Sequence, residues 1–174
     1  MTHLLLILIS YFSPKITMSE KGSGFGRYCY YGCHCLPDKH HNEYLTFGKP
    51  VDNIDKQCKQ MGVCYKCLQH KYPKQQCQPE NTNYKFTLDT VKKTIDCSIN
   101  RNSCRRDVCE CDKDFAIGVS KYETEWKLEY HIKRAGFDRN TQCKPVKERE
   151  TLKTHMTRLE LSVTLNEAST YCEL

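Results

Sequence analysis

The sequence predicts a mainly α, disulfide-rich fold in which two long helices are cross-linked to each other and to a small β-hairpin. Three observations predict it. Ile54, Cys58, Met61, Tyr65 and Leu68 recur at steps of four, three, four and three, which lines up one stripe on a helix. Further along, Cys104, Val108, Cys111, Phe115 and Val119 repeat at steps of four, three, four and four. Thirteen cysteines spread from Cys29 to Cys172 rather than clustering, which favours a disulfide framework formed in an oxidising compartment.

The first helix is expected over Val51 to Leu68 and the second over about Ser103 to Val119. Each carries three cysteines, Cys58, Cys64 and Cys67 on the first and Cys104, Cys109 and Cys111 on the second. Between them Gln69 to Asn83 is polar and broken by Pro73 and Pro79. Alternating apolar residues in Tyr84 to Leu88, paired with Thr94 to Cys97 across a polar turn, predict the hairpin. Upstream, Leu36 to Pro50 has turn residues at both ends and no period, and reads as a surface loop. Cys33 and Cys35, one residue apart, point in opposite directions if extended and staple different neighbours.

The chain of 174 residues accommodates one domain with tails. Residues 1–17 are expected to be a signal peptide, because Leu4 to Ile9 is an unbroken apolar run too short to cross a bilayer but sufficient for a secretory signal. Residues 18–27 are glycine-rich and read as a flexible leading segment, 28–143 form the domain, and 144–174 are a charged tail ending near Cys172. The protein is therefore expected to be secreted and extracellular. A net charge of +6 gives a mild attraction to anionic surfaces. No basic helix or stacking motif supports nucleic-acid binding.

The ordered motifs Tyr31-Gly-Cys-His-Cys35, Pro50-Val-Asp52, Asp55-x-x-Cys58, Cys64-Tyr65 and Cys104-x4-Cys109-Glu-Cys-Asp112 resemble secreted phospholipase A2. The likeness covers Tyr28 to Cys143. The spacing of Cys97, Cys104, Cys109, Cys111 and Asp112 is its most specific part. The resemblance implies two antiparallel helices, a calcium-binding loop before the first, and a short β-wing between them. It implies the bridges Cys33 to Cys143, Cys35 to Cys58, Cys64 to Cys111, Cys77 to Cys104 and Cys97 to Cys109, with Cys29 and Cys67 left as a candidate sixth pair. One family bridge is missing at both ends, where Gln57 and Gly118 stand.

In the family a histidine on the first helix is the general base and the following aspartate holds calcium. Here those positions are Met61 and Gly62. Methionine takes no proton at any relevant pH, and glycine has no side-chain oxygen. The resemblance makes Asp112 the aspartate that orients the histidine and Tyr65 and Tyr84 its hydrogen-bonding tyrosines, so the frame of the site is kept without its catalytic pair. With Met61 beside it, the slot is expected to be more apolar. The calcium loop survives only as a remnant at Tyr31, Gly32 and Gly48, so no cofactor is expected unless Asp38 and Glu43 rebuild a Ca2+ site.

The sequence thus points to a secreted phospholipase A2-like protein without phospholipase chemistry that binds a lipid, an anionic membrane surface or a protein receptor. Its alternative is a calcium-dependent phospholipase A2 that hydrolyses the sn-2 ester through a rearranged site using His40 or His41. A third reading makes Cys64-x-x-Cys67 and Cys33-His-Cys35 zinc ligands. Cys172, left over from the pairing, is a candidate for a disulfide-linked dimer.

Overall fold

The computed structural model describes residues 27–35 and 48–143, apart from 74, 90 and 93. These lie in the first of the two units into which the chain divides, Met1–Lys144 and Pro145–Leu174. The expected signal peptide, the leading segment before Arg27, Asp38, His40, His41, Glu43 and the tail with Cys172 fall outside the described residues.

Helix α1 spans Asn53–Lys71. It starts two residues later than the sequence predicts because Asp52 serves as its cap, its carboxylate accepting from the Asp55 N–H. It runs three residues further, to Lys71, and stops where Tyr72 precedes Pro73 and is driven into extended backbone. Ile54, Asp55, Cys58, Met61, Tyr65 and Leu68 form its buried stripe. Helix α2 spans Ser103–Lys121, capped by the Asn102 carboxamide, and buries Cys104, Val108, Cys111, Asp112, Phe115 and Val119 among others.

The helices pack antiparallel. Asn53, at the start of α1, donates to the Glu125 carboxylate just past the end of α2 at 2.9 and 3.1 Å. At the other end Tyr72 and Lys71 both donate to Asp107 of α2, at 2.7 and 2.8 Å. The Cys64–Cys111 bridge joins the two helices near their middles, and Cys77–Cys104 ties the chain after α1 to the start of α2.

The hairpin is shorter than the sequence predicts. Strands β1 (Thr87–Asp89) and β2 (Thr94–Asp96) pair antiparallel with Leu88 opposite Ile95, and Asp89 caps the turn by accepting from the Val91 and Lys92 N–H groups. Tyr84, Lys85 and Phe86 stay out of the ladder because the Asn100 carboxamide takes both backbone groups of Lys85, at 2.9 and 2.6 Å. A side chain thus replaces a partner strand, and Tyr84 is released to turn inward. Cys97–Cys109 holds the hairpin on α2.

The segment after α2 returns to the start of the domain. Short 3-10 turns at Glu123–Glu125 and Leu128–Tyr130 lead into helix α3 (Ile132–Ala135) and helix α4 (Arg139–Gln142). Tyr31 bridges to His131, and Gly32 N–H donates to Tyr130 O at 2.8 Å. The Tyr31 ring stacks on Trp126 and meets Tyr130 edge-on, each at 6.0 Å between centroids.

Cys33 and Cys35 lie in a turn rather than an extended strand, and reach different partners, Cys143 and Cys58. Two readings of the cysteines need correction. The Cys29–Cys67 pair is not formed: Cys67 is disulfide-bonded, whereas Cys29 is a half-buried thiol. The zinc reading fails because Cys33, Cys35, Cys64 and Cys67 all have their sulfurs in disulfides. Among the described residues no group of three or more His, Cys, Asp or Glu is placed to hold a metal, and no helix is long and apolar enough to cross a membrane.

Candidate functional site

Asp112 sits on the buried face of α2 with 1% of its surface exposed. Burying a carboxylate is costly unless donors meet it. Two do: the hydroxyl of Tyr65 on α1 and that of Tyr84 ahead of the hairpin donate to its two oxygens, each at 2.6 Å. Burial still outweighs the two phenols and pushes the Asp112 carboxyl up to about 6. Three separate segments therefore converge on one acid. Met61 lies one turn before Tyr65 on the same buried stripe of α1, and a proton acceptor is missing from that stripe at this level.

Gly62 is sterically unconstrained. A Cβ built there meets nothing within 4 Å, so packing does not demand glycine. Gly118 is the opposite case: a Cβ there would collide with the Gln57 carboxamide oxygen. The long side chain at 57 and the absent one at 118 fit each other where the resemblance places a bridge.

The loop ahead of α1 is built around Asp55. Its carboxylate is buried and accepts from the backbone N–H groups of Cys33 (2.9 Å), His34 (2.7 Å) and Val51 (3.0 Å). Gly32 turns against it with φ +58°, and a Cβ there would lie 2.5 Å from the carboxyl carbon. Only glycine meets both demands. The Tyr31 hydroxyl donates to Asp52 and accepts from Lys127 N–H, and burial together with the Asp52 bond raises its pKa.

Among the described residues of this loop, the carbonyls of Tyr31, Gly32, Cys35 and Gly48 are engaged. Arg139 donates from Nε to Gly32 O at 2.8 Å and from Nη2 to Cys35 O at 3.0 Å, and Tyr31 O accepts from Cys35 N–H. Gly48 O lies 3.1 Å from His34 Nε2, which makes that nitrogen the donor. His34 is buried, its Nδ1 has no hydrogen-bond partner, and desolvation lowers its pKa.

Tyr31, Gly32 and Gly48 are thus brought together around Asp55 and His34, while Asp112, Tyr65 and Tyr84 form the frame between the helices. Sequence reasoning missed Arg139 and the partnership of His34 with Gly48. The one available signal for Arg139 was its position four residues before Cys143, whose bridge to Cys33 carries it to the loop.

The profile of the family described as Phospholipase A2 matches residues 9–131. The chain belongs to the phospholipase A2 family. The family match begins upstream of Tyr28, where the sequence motifs start. "Phospholipase A2, membrane associated" from Cavia porcellus is 31% identical over 125 residues, 69% of this chain and 77% of the relative. "Basic phospholipase A2 homolog MjTX-I" from Bothrops moojeni is 33% identical over 121 residues, 67% and 76%. "Phospholipase A2 homolog otoconin-22" from Xenopus laevis is 32% identical over 105 residues, 60% and 73%. Within the phospholipase A2 family, the frame described here is the one that the resemblance assigns to orienting a histidine base.

Proposed function

We propose that this phospholipase A2 family member is a secreted protein that binds a phospholipid or anionic membrane surface, or a protein receptor, without hydrolysing phospholipid. One observation carries the reading: the Asp112, Tyr65 and Tyr84 frame is complete, while Met61 and Gly62 stand where the resemblance places the general base and the calcium carboxylate. Ester hydrolysis by this family needs a base that takes a proton from water near neutral pH and a hard cation on the ester oxygen. A thioether supplies no such base.

The described residues do not fit a calcium ion. Gly62 offers no carboxylate, although a Cβ there would meet open space. Asp55, in the first turn of α1 against this loop, is taken up by three N–H groups, and the carbonyls of Gly32 and Cys35 already receive a guanidinium. We therefore derive no step through calcium. Five disulfides between described residues, together with the disulfide-bonded Cys67, fit an extracellular protein. The net charge of +6 and the exposed Val91 beside Lys92 at the hairpin tip suit an anionic membrane surface.

Sedimentation with anionic and with zwitterionic vesicles, with fatty-acid release followed in the same tubes, tests this reading. Salt-sensitive binding to the anionic vesicles, with no release in the presence of calcium, is expected. Calcium-dependent release contradicts the reading, and absence of binding to both vesicles removes the membrane in favour of a protein receptor.

A further inference from the structure

A recess of about 440 Å3 lies away from the Asp112 frame, between the segment after α1 and the start of α2. Its floor is the Cys77–Cys104 bridge, whose two residues are almost fully buried. The bridge fixes the two walls relative to each other. Internal bonds stiffen the walls further: Asn81 donates to the Gln78 side chain at 3.1 Å, the Thr82 hydroxyl donates to Gln78 O at 2.8 Å, and Asn102 caps α2.

The chemistry of the lining is narrow. Among its described lining residues, six of ten are Gln or Asn and the single formal charge is Arg105. Apart from the disulfide its described lining carries no apolar or aromatic side chain, which suits neither an acyl chain nor a stacked base. A carboxamide offers two donors and an acceptor in one plane, the pattern that pairs with neighbouring hydroxyls on a sugar ring. Gln75, Gln76 and Asn83 are exposed at the rim. A guanidinium at the same site receives a carboxylate through two parallel hydrogen bonds.

We propose that this recess binds an acidic oligosaccharide, its hydroxyls on the carboxamides of Gln75, Gln76 and Asn83 and its carboxylate on Arg105. The site is independent of the catalytic positions and of whether the protein hydrolyses lipid.

The test uses the oxidised full chain, labelled with 15N and titrated with 3′-sialyllactose, lactose or inorganic sulfate. With sialyllactose the side-chain amide signals of Gln75, Gln76 and Asn83 and the Arg105 Nε–H signal move together, with a Kd of about 1 mM or tighter. Lactose binds roughly tenfold more weakly, and sulfate leaves the amide side chains unmoved. Arg105→Gln reduces sialyllactose binding to the lactose level, and Gln75→Ala with Gln76→Ala weakens both sugars. These positions are exposed, and non-reducing intact mass checks that each variant keeps its disulfides. Signals that stay still with both sugars overturn the proposal. So does a sulfate response equal to that of sialyllactose, which marks a bare anion site, or binding unaffected by Arg105→Gln.

Discussion

Replacing Asp112 by asparagine removes a buried acid while keeping its shape, and its effect on stability should depend on pH. The folded protein holds the Asp112 proton up to about 6, against an ordinary 3.8. Between those values the folded chain is protonated at this position and the unfolded chain is not. The contribution is therefore fully present below 3.8 and is lost as pH rises through 6. At about 1.4 kcal/mol for each pH unit between the two values, ionised Asp112 weakens the native state by ~3 kcal/mol at neutral pH. The carboxamide of the variant does not titrate, so the stability of the wild type relative to Asp112→Asn should rise by that order between about pH 7.5 and pH 4. Guanidinium unfolding of both proteins under non-reducing conditions, extrapolated to water at each pH, measures it. A pH-independent difference would refute the reasoning, and the opposite slope would show that the Tyr65 and Tyr84 hydroxyls hold the carboxylate ionised against burial.

Other outcomes follow from the same contacts. Gln57→Cys with Gly118→Cys should close a new bridge, read as a non-reducing mass lower by two hydrogens than the reduced pair, and stabilise the fold by ~2–4 kcal/mol. Gly32→Ala should destabilise by at least ~1–3 kcal/mol from its left-handed backbone alone, before the clash with Asp55 is added; chemical unfolding measures it. Arg139→Gln leaves Gly32 O and Cys35 O without their charged donor and should cost about 2–3 kcal/mol. Hydrogen exchange at the Cys33 and His34 amides should quicken in that variant, and unchanged exchange would show that Arg139 does not fix the loop.

Both long helices are legible in the sequence because a single buried stripe repeats over five or more residues in each, and α1 ends where Pro73 forces it to. Local pattern misleads at Tyr84 to Phe86, which alternates like a strand. A carboxamide fifteen residues away from Lys85, on Asn100, takes the ladder bonds there, and no period reveals such a partner. The frame of the candidate site is legible through the spacing of Cys104, Cys109, Cys111 and Asp112. Arg139 is not, because its role depends on the long-range return of the segment after α2 onto the Gly32 and Cys35 carbonyls, which no local pattern encodes. Gln57 and Gly118 lie between these extremes: the sequence shows that both ends of a family bridge are absent, and the structure adds that the carboxamide fills the space glycine leaves.

Fatty-acid release from phospholipid by the oxidised protein, with and without calcium, bears most directly on the role of Met61 and Gly62. Release at the level of the protein-free control is predicted under both conditions. Calcium-dependent release from the sn-2 position that co-purifies with the intact chain would contradict the loss of phospholipase chemistry at these two positions.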